Sequence, residues 1–151
     1  MIDLTAQLPL LLPLASAWAE AEERRGLASG APLSEAETAL AKSVGVSHPQ
    51  LVRILLIDAM PTPDDPMLRA AIRQNGMLGP ETRGLTLGHA ILIRRGEQSR
   101  RLLSHELRHV YQYEQLGSIS AFLAVYLCQM LEFGYRDAPL EIDARAYEIG
   151  A

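Results

Sequence analysis

Apolar and polar positions alternate with two periods along the chain, and the periods separate helices from strands. "ASAWAEAEERRGLA" (15–28) combines strong helix formers with acidic-to-basic charge order, which predicts a helix over about 14–28, with Gly30 and Pro32 beyond its end. Ser34 opens "SEAETALAKSVG" with Glu37 three residues on, the spacing of a capping box, and Gly45 closes that helix. "QLVRILLIDA" (50–59) is short, aliphatic and followed by Pro61, so it reads as a buried strand. A helix starts at Asp64 or Asp65, with Pro66 in its first turn, and stops near Asn75-Gly76. After a loop at 79–84, "LTLGHAILIRRG" (85–96) reads as a second strand. Helices follow at about 97–116 and 118–133, each closed by a glycine, and a last one starts near Leu140 after the turn "YRDAP". The expected fold is one α+β domain, mostly helical, with a small sheet of two or three strands.

Composition narrows the function classes. The chain has 151 residues, enough for one domain with a real core, and a net charge of −4. That charge gives no general attraction to nucleic acid or to an anionic membrane. Arg94-Arg95 and Arg100-Arg101 form only a small basic cluster, read as solvated surface. The single cysteine, Cys128, excludes an internal disulfide framework and fits a cytoplasmic location; mid-helix among apolar residues, it is expected to be buried and inert. "LPLLLPLASA" (8–17) has the apolar core of a signal peptide, but Asp3 precedes it, no basic residue does, and Pro9 and Pro13 interrupt it, so it is not read as one. "ISAFLAVYLCQML" (119–131) is too short to span a bilayer and reads as a buried core helix.

The chemistry lies in "SHELRH" (104–109). At 100° per residue, His105 and His109 share a sector with Leu102, Tyr113 and Leu116, beside the apolar sector of Leu103, Leu107 and Val110. Arg100, Ser104, Arg108, Tyr111 and Gln115 make the opposite side, expected to be solvated. Two imidazoles at i and i+4 on one helix face can converge on a Zn²⁺ ion at about 2.0–2.1 Å. Glu106, about 100° round from His105, would not ligate but would lie where a metal-activated water sits, placed to take its proton. The plain alternative is two satisfied histidines at the border of a core. His89 and His48 have no partner at ligand spacing and read as structural or surface residues. Tyr113 and Tyr147 lie near the site and are read as packing residues, with oxyanion donation as the other possibility.

The HELRH helix after a strand, a second helix and the later "PLEIDARAYE" (139–148) together resemble the gluzincin zinc metallopeptidases, in particular their compact single-domain members, the minigluzincins. The resemblance covers about 85–148, so the chain is read as one zincin-like domain with its zinc-site core in 85–151 and an unassigned part in 1–84. It implies Zn²⁺ bound by His105 and His109, Glu106 as general base, and a third ligand from a Glu-x-x-Ala pattern, here Glu141-Ile142-Asp143-Ala144. It also implies a peptide or protein substrate, paired in extended form along the strand "LTLGHAILIRR". Many members carry an Asp directly after that Ala, bonded to a ligand histidine; this chain has Arg145.

Helix geometry bears on the third ligand too. Glu114 points away from the histidines. Glu132 would lie roughly 7 Å beyond the zinc level if its helix returns antiparallel. Glu141 and Asp143, two apart, cannot both aim at one ion, and small Ala144 on the Glu141 face favours Glu141, with Asp143 next. Arg145 would hold the Glu141 carboxylate or reach a substrate carboxylate. The reading is a small zinc metallopeptidase. Its rival is a zinc-stabilised regulatory or interaction domain that hydrolyses nothing.

Overall fold

The computed structural model describes residues 4–150. Its elements run α1 (Leu4–Ser29), β1 (Ala31–Pro32), α2 (Glu35–Ser43), β2 (Arg53–Ile57), α3 (Pro66–Gln74), β3 (Gly84–Leu87), β4 (Ala90–Arg94), α4 (Arg100–Leu116), α5 (Ile119–Asp137) and α6 (Pro139–Ala146). The fold is a mostly helical α+β domain around a four-stranded sheet of order β1-β2-β4-β3. β2 and β4 pair in parallel, and the outer pairs are antiparallel.

β4 is an unbroken aliphatic run because both of its faces are covered. Ile91 and Ile93 pack against Leu103, Leu107 and Val110 of α4 and against the end of α2. Leu92, on the other face, shares a cluster with Ala19 of α1 and with Phe122 of α5. A third apolar cluster joins Leu11 and Ala15 of α1 to Leu68 and Ala71 of α3. α1 approaches the sheet so closely that a Cβ on Gly26 would lie 2.7 Å from the Ala90 Cβ.

Several expected boundaries move, each for a physical reason. The single strand over 85–96 is a hairpin, β3-β4, turning at Gly88-His89. Gly88 has φ +64, a conformation glycine adopts without penalty, and the carboxylate of Glu23 accepts the His89 N–H there. With β1 added at the far edge, the sheet has four strands rather than two or three. The strand over 50–59 shortens to Arg53–Ile57, behind a 3₁₀ turn at Pro49–Leu51. α1 starts at Leu4 rather than near 14 and runs through Pro9 and Pro13. Both prolines face outward, one turn apart, while Leu11 and Ala15 are buried, so tertiary packing offsets the lost backbone hydrogen bonds. Gly134 breaks α5 as expected (φ 77, ψ 171), although residues 135–137 add a further turn. α5 is amphipathic rather than fully buried: Ile119, Phe122 and Met130 face inward and Cys128 is exposed. Among the described residues, no single helix is long and apolar enough to cross a membrane.

Candidate metal centre

α4 is fixed at both ends. Ser99 caps it by accepting the Leu102 N–H, and Gly117 closes it at φ 95. Between the caps, residues 103–110 are all buried, including Ser104 and Arg108 on the side expected to be solvated. α6 packs across that side. Arg108 Nε and Nη2 donate to Asp143 at 2.8 and 3.2 Å, Nη1 donates to the Val44 carbonyl, and the guanidinium stacks on the rings of Tyr111 and Tyr147. The ion pair, the carbonyl and the two rings replace the water that the sequence pattern assigns to Arg108.

The structure brings His105, His109 and Glu141 together. One ligand atom from each lies within 4.8 Å of the others, and all three residues are buried. Glu141 Oε1 is 3.2 Å from His105 Nε2, and Oε2 is 3.2 Å from His109 Nε2. Ligands about 2.0–2.1 Å from one zinc ion at tetrahedral angles stand about 3.3–3.4 Å apart. The three donors therefore fit such an ion in type, and each nitrogen–oxygen distance matches that spacing. Glu141 sits in the first turn of α6, where the helix N-terminus favours a carboxylate, and Ala144 on the same face is fully buried.

The outward nitrogens of both imidazoles are occupied. His105 Nδ1 is 2.9 Å from Glu148 Oε2, and Arg101 holds the other oxygen of Glu148. His109 Nδ1 is 2.7 Å from Gln112 Oε1. The orientation of Gln112 is fixed independently, because its amide nitrogen donates to the Leu140 carbonyl and to Asp143 Oδ2. Its oxygen must then accept from His109 Nδ1–H, so that in the neutral imidazole the lone pair is on Nε2, facing inward.

Buried carboxylates set the electrostatics. Burial alone would lower the pKa of His109, but the hydrogen bond and charge of Glu141, with Glu106 beyond, raise it to about 9. His105 is raised for similar reasons. Burial would raise the Glu141 pKa; the hydrogen bonds from His105 and His109 override it and hold the group well below the usual carboxylate range. A field that favours a proton on both histidines also favours a divalent cation between them.

Glu106 lies beside the triad, not in it. Its Oε2 is 2.7 Å from Thr86 Oγ, and Gly84 leaves room for Oε1, since a Cβ there would come within 2.8 Å of it. Both partners belong to β3, an outer strand of the sheet that lines the cleft in front of the site.

The other sequence candidates fall elsewhere. Asp143 serves Arg108 and Gln112. Glu114 accepts the N–H groups of Ser47 and His48 and pairs with His89 Nε2, on the far side of α4. Glu132 is exposed. Arg145 donates to the Arg136 carbonyl, while Tyr126 Oη donates to Glu141 Oε2 at 2.7 Å. Tyr113 donates to the Thr86 carbonyl and stacks on Phe122, so it packs the core. Tyr147 is exposed over Arg108. Sequence reasoning missed the roles of Gln112, Glu148, Thr86, Gly84 and Tyr126. Only Gln112, one helical turn from His109, carried a local signal.

No protein-family model, curated protein or solved structure matches the chain.

Proposed function

We propose that this chain is a zinc-dependent hydrolase. More narrowly, we propose a small metallopeptidase of the gluzincin type, with His105, His109 and Glu141 as ligands and Glu106 as general base. The observation that carries the reading is Glu106: a buried carboxylate next to three convergent ligand atoms, excluded from ligation, and held by Thr86 at the edge of an open cleft.

A bound zinc ion supplies Lewis acidity and lowers the pKa of water at the site. The remaining work belongs to the chain's own residues. Thr86 Oγ fixes Glu106 Oε2 and leaves Oε1 to take a proton from the attacking water and pass it to the leaving amine. Glu148 and Gln112 hold the two imidazoles in the tautomer that turns Nε2 inward. Tyr126 fixes the Glu141 carboxylate. The outer edge of β3 at Gly84 and Leu85, the half that is not buried, would offer backbone groups to an extended peptide, a pairing that reads little side-chain identity. The reading includes a cytoplasmic location, with which the single cysteine is consistent.

The test is Glu106→Gln. It should retain zinc and fold and lose hydrolysis of a mixed pool of unstructured peptides. Equal hydrolysis by the variant and the parent would refute the assignment. Absence of hydrolysis in the zinc-loaded parent would favour the non-catalytic domain.

A further inference from the structure

Arg145 stands one helical turn after Glu141, so the two share a face of α6, and Glu141 turns that face to the metal centre. The sequence leaves two uses for the guanidinium, the Glu141 carboxylate or a carboxylate from outside. Tyr126 fills the first: its hydroxyl donates to Glu141 Oε2 at 2.7 Å, while Glu141 Oε1 faces His105 Nε2. Arg145 instead donates one N–H to the Arg136 carbonyl at the end of α5, and it lines the cleft half-buried with no carboxylate partner among the described residues. The other charges of the cleft are matched. Glu97 pairs with Arg94 and Glu148 with Arg101, and Glu106 and Glu141 belong to the centre. Glu81 and Arg83 are exposed, two residues apart, and offset one another in charge. Burial pushes the Tyr135 hydroxyl up, the charges of Glu141 and Glu106 add to that, and Arg145 opposes them, so Tyr135 feels the metal ligand and the guanidinium together. A guanidinium drawn part-way out of water against a neutral carbonyl loses hydration without gaining a counter-charge, and a carboxylate ligand supplies one.

We infer that Arg145 binds a carboxylate of the substrate, about two residues from the bond held at the metal centre. The identity of the substrate as a peptide rests on the function proposed above; the anion site rests on Arg145 itself. Four residues of helix rise about 6 Å, and an extended peptide covers about 6–7 Å in two residues, which sets that spacing. The carboxylate is the peptide's C-terminus or an Asp or Glu side chain, since a guanidinium receives both in the same bidentate way. One charge-assisted pair of this kind is worth about tenfold to a hundredfold in affinity.

The test is calorimetric titration of the zinc-loaded Glu106→Gln chain, in which binding is read without turnover. Two pairs of peptides are compared: N-acetyl-tetraalanine with its amide, and N-acetyl-Ala-Ala-Glu-Ala-amide with its Gln counterpart. A charged peptide should bind at least about tenfold tighter than its neutral partner. Preference for the free C-terminus assigns the terminal carboxylate, and preference for Glu over Gln assigns the side chain. Arg145→Met in the same background should bring the preference to within about threefold while zinc affinity stays within about twofold. Arg145→Gln, which keeps an N–H donor for the Arg136 carbonyl, serves if the first variant does not fold. Arg83→Met should keep the preference. Equal binding within both pairs, a preference that survives in an Arg145 variant that retains zinc, or one lost in Arg83→Met and kept in Arg145→Met would overturn the inference. The two readings fail separately. A carboxylate preference in binding without hydrolysis by the parent defeats the peptidase, whereas hydrolysis of charged and neutral peptides at equal kcat/KM defeats the role of Arg145.

Discussion

Gln112→Leu removes one side chain that neither binds metal nor lines the cleft, and it should weaken both metal binding and folding. The native amide makes three hydrogen bonds, accepting from His109 Nδ1 at 2.7 Å and donating to the Leu140 carbonyl and Asp143 Oδ2 at 2.9 Å each. The residue is 3% exposed, so water cannot replace those partners. Asp143 keeps its bidentate pair with Arg108. One buried group is therefore orphaned, His109 Nδ1–H; the Leu140 carbonyl loses the amide but keeps its helical partner inside α6. At about 1–3 kcal/mol for that group and about 0.5–1.5 kcal/mol for the lost bond to Leu140, the loss of stability is roughly 1.5–4.5 kcal/mol. His109 is also freed to rotate or to change tautomer, which by the usual effect of an outer partner costs about 10–100-fold in zinc affinity. Competition against a chromophoric chelator gives the affinity, and urea unfolding of the chelator-treated chain gives the stability. Zinc affinity within twofold of the parent, in a folded variant, would refute the claim that Gln112 sets the His109 tautomer.

Three further outcomes follow from the geometry. Gly84→Ala places a Cβ 2.8 Å from Glu106 Oε1, and since Thr86 pins the other oxygen, kcat/KM for a cleaved peptide should fall about 10–100-fold with zinc affinity within threefold; unchanged hydrolysis would contradict the placement of Glu106. Zinc affinity should fall as pH drops below about 9, at about tenfold per pH unit for each proton displaced, because the facing carboxylates raise His109 to about 9 and the imidazole must be neutral to ligate; an affinity flat down to about pH 6.5 would refute this. Glu114→Gln tests the far side of α4. Burial would raise the Glu114 pKa, but the hydrogen bonds from His89 and from the Ser47 and His48 N–H groups lower it below its ordinary 4.5. A lowered carboxylate stabilises the fold fully above its ordinary pKa and loses that contribution as pH falls through the folded value, so the variant should cost about 1–3 kcal/mol in urea unfolding at pH 7 and less near pH 3.5. An equal cost at both pH values would show that the carboxylate charge is irrelevant.

Legibility in the sequence tracked the range of the interactions involved. Ser34 with Glu37 caps α2 as the three-residue spacing requires, and Gly117 ends α4, because both features are local. The two histidines lie on the buried border of α4 because their spacing alone decides it. The strand at 85–96 misled, since Gly88-His89 sits inside an aliphatic run and its turn is stabilised by Glu23, 66 residues away from His89. Arg108 misled for the same reason. A helical wheel assigns it to water, and only the arrival of α6 supplies Asp143 and Tyr147 to bury it. The outer partners of the metal centre divide in the same way. Gln112 is three residues from its histidine, whereas Glu148 is 43 from His105 and depends on where α6 ends. Arg145 stands where the resembled family often carries an Asp, and the outward nitrogens of His105 and His109 meet Glu148 and Gln112 instead.

The central claim is that His105, His109 and Glu141 hold one metal ion. Its most direct test is elemental analysis of protein purified without added zinc and without nickel resin, alongside three variants. The parent should carry one zinc per chain. The His105→Ala, His109→Ala double variant and Glu141→Ala should each lose it, and Asp143→Ala should keep it. Full occupancy in the double histidine variant, or zinc lost from Asp143→Ala but retained by Glu141→Ala, would contradict the account.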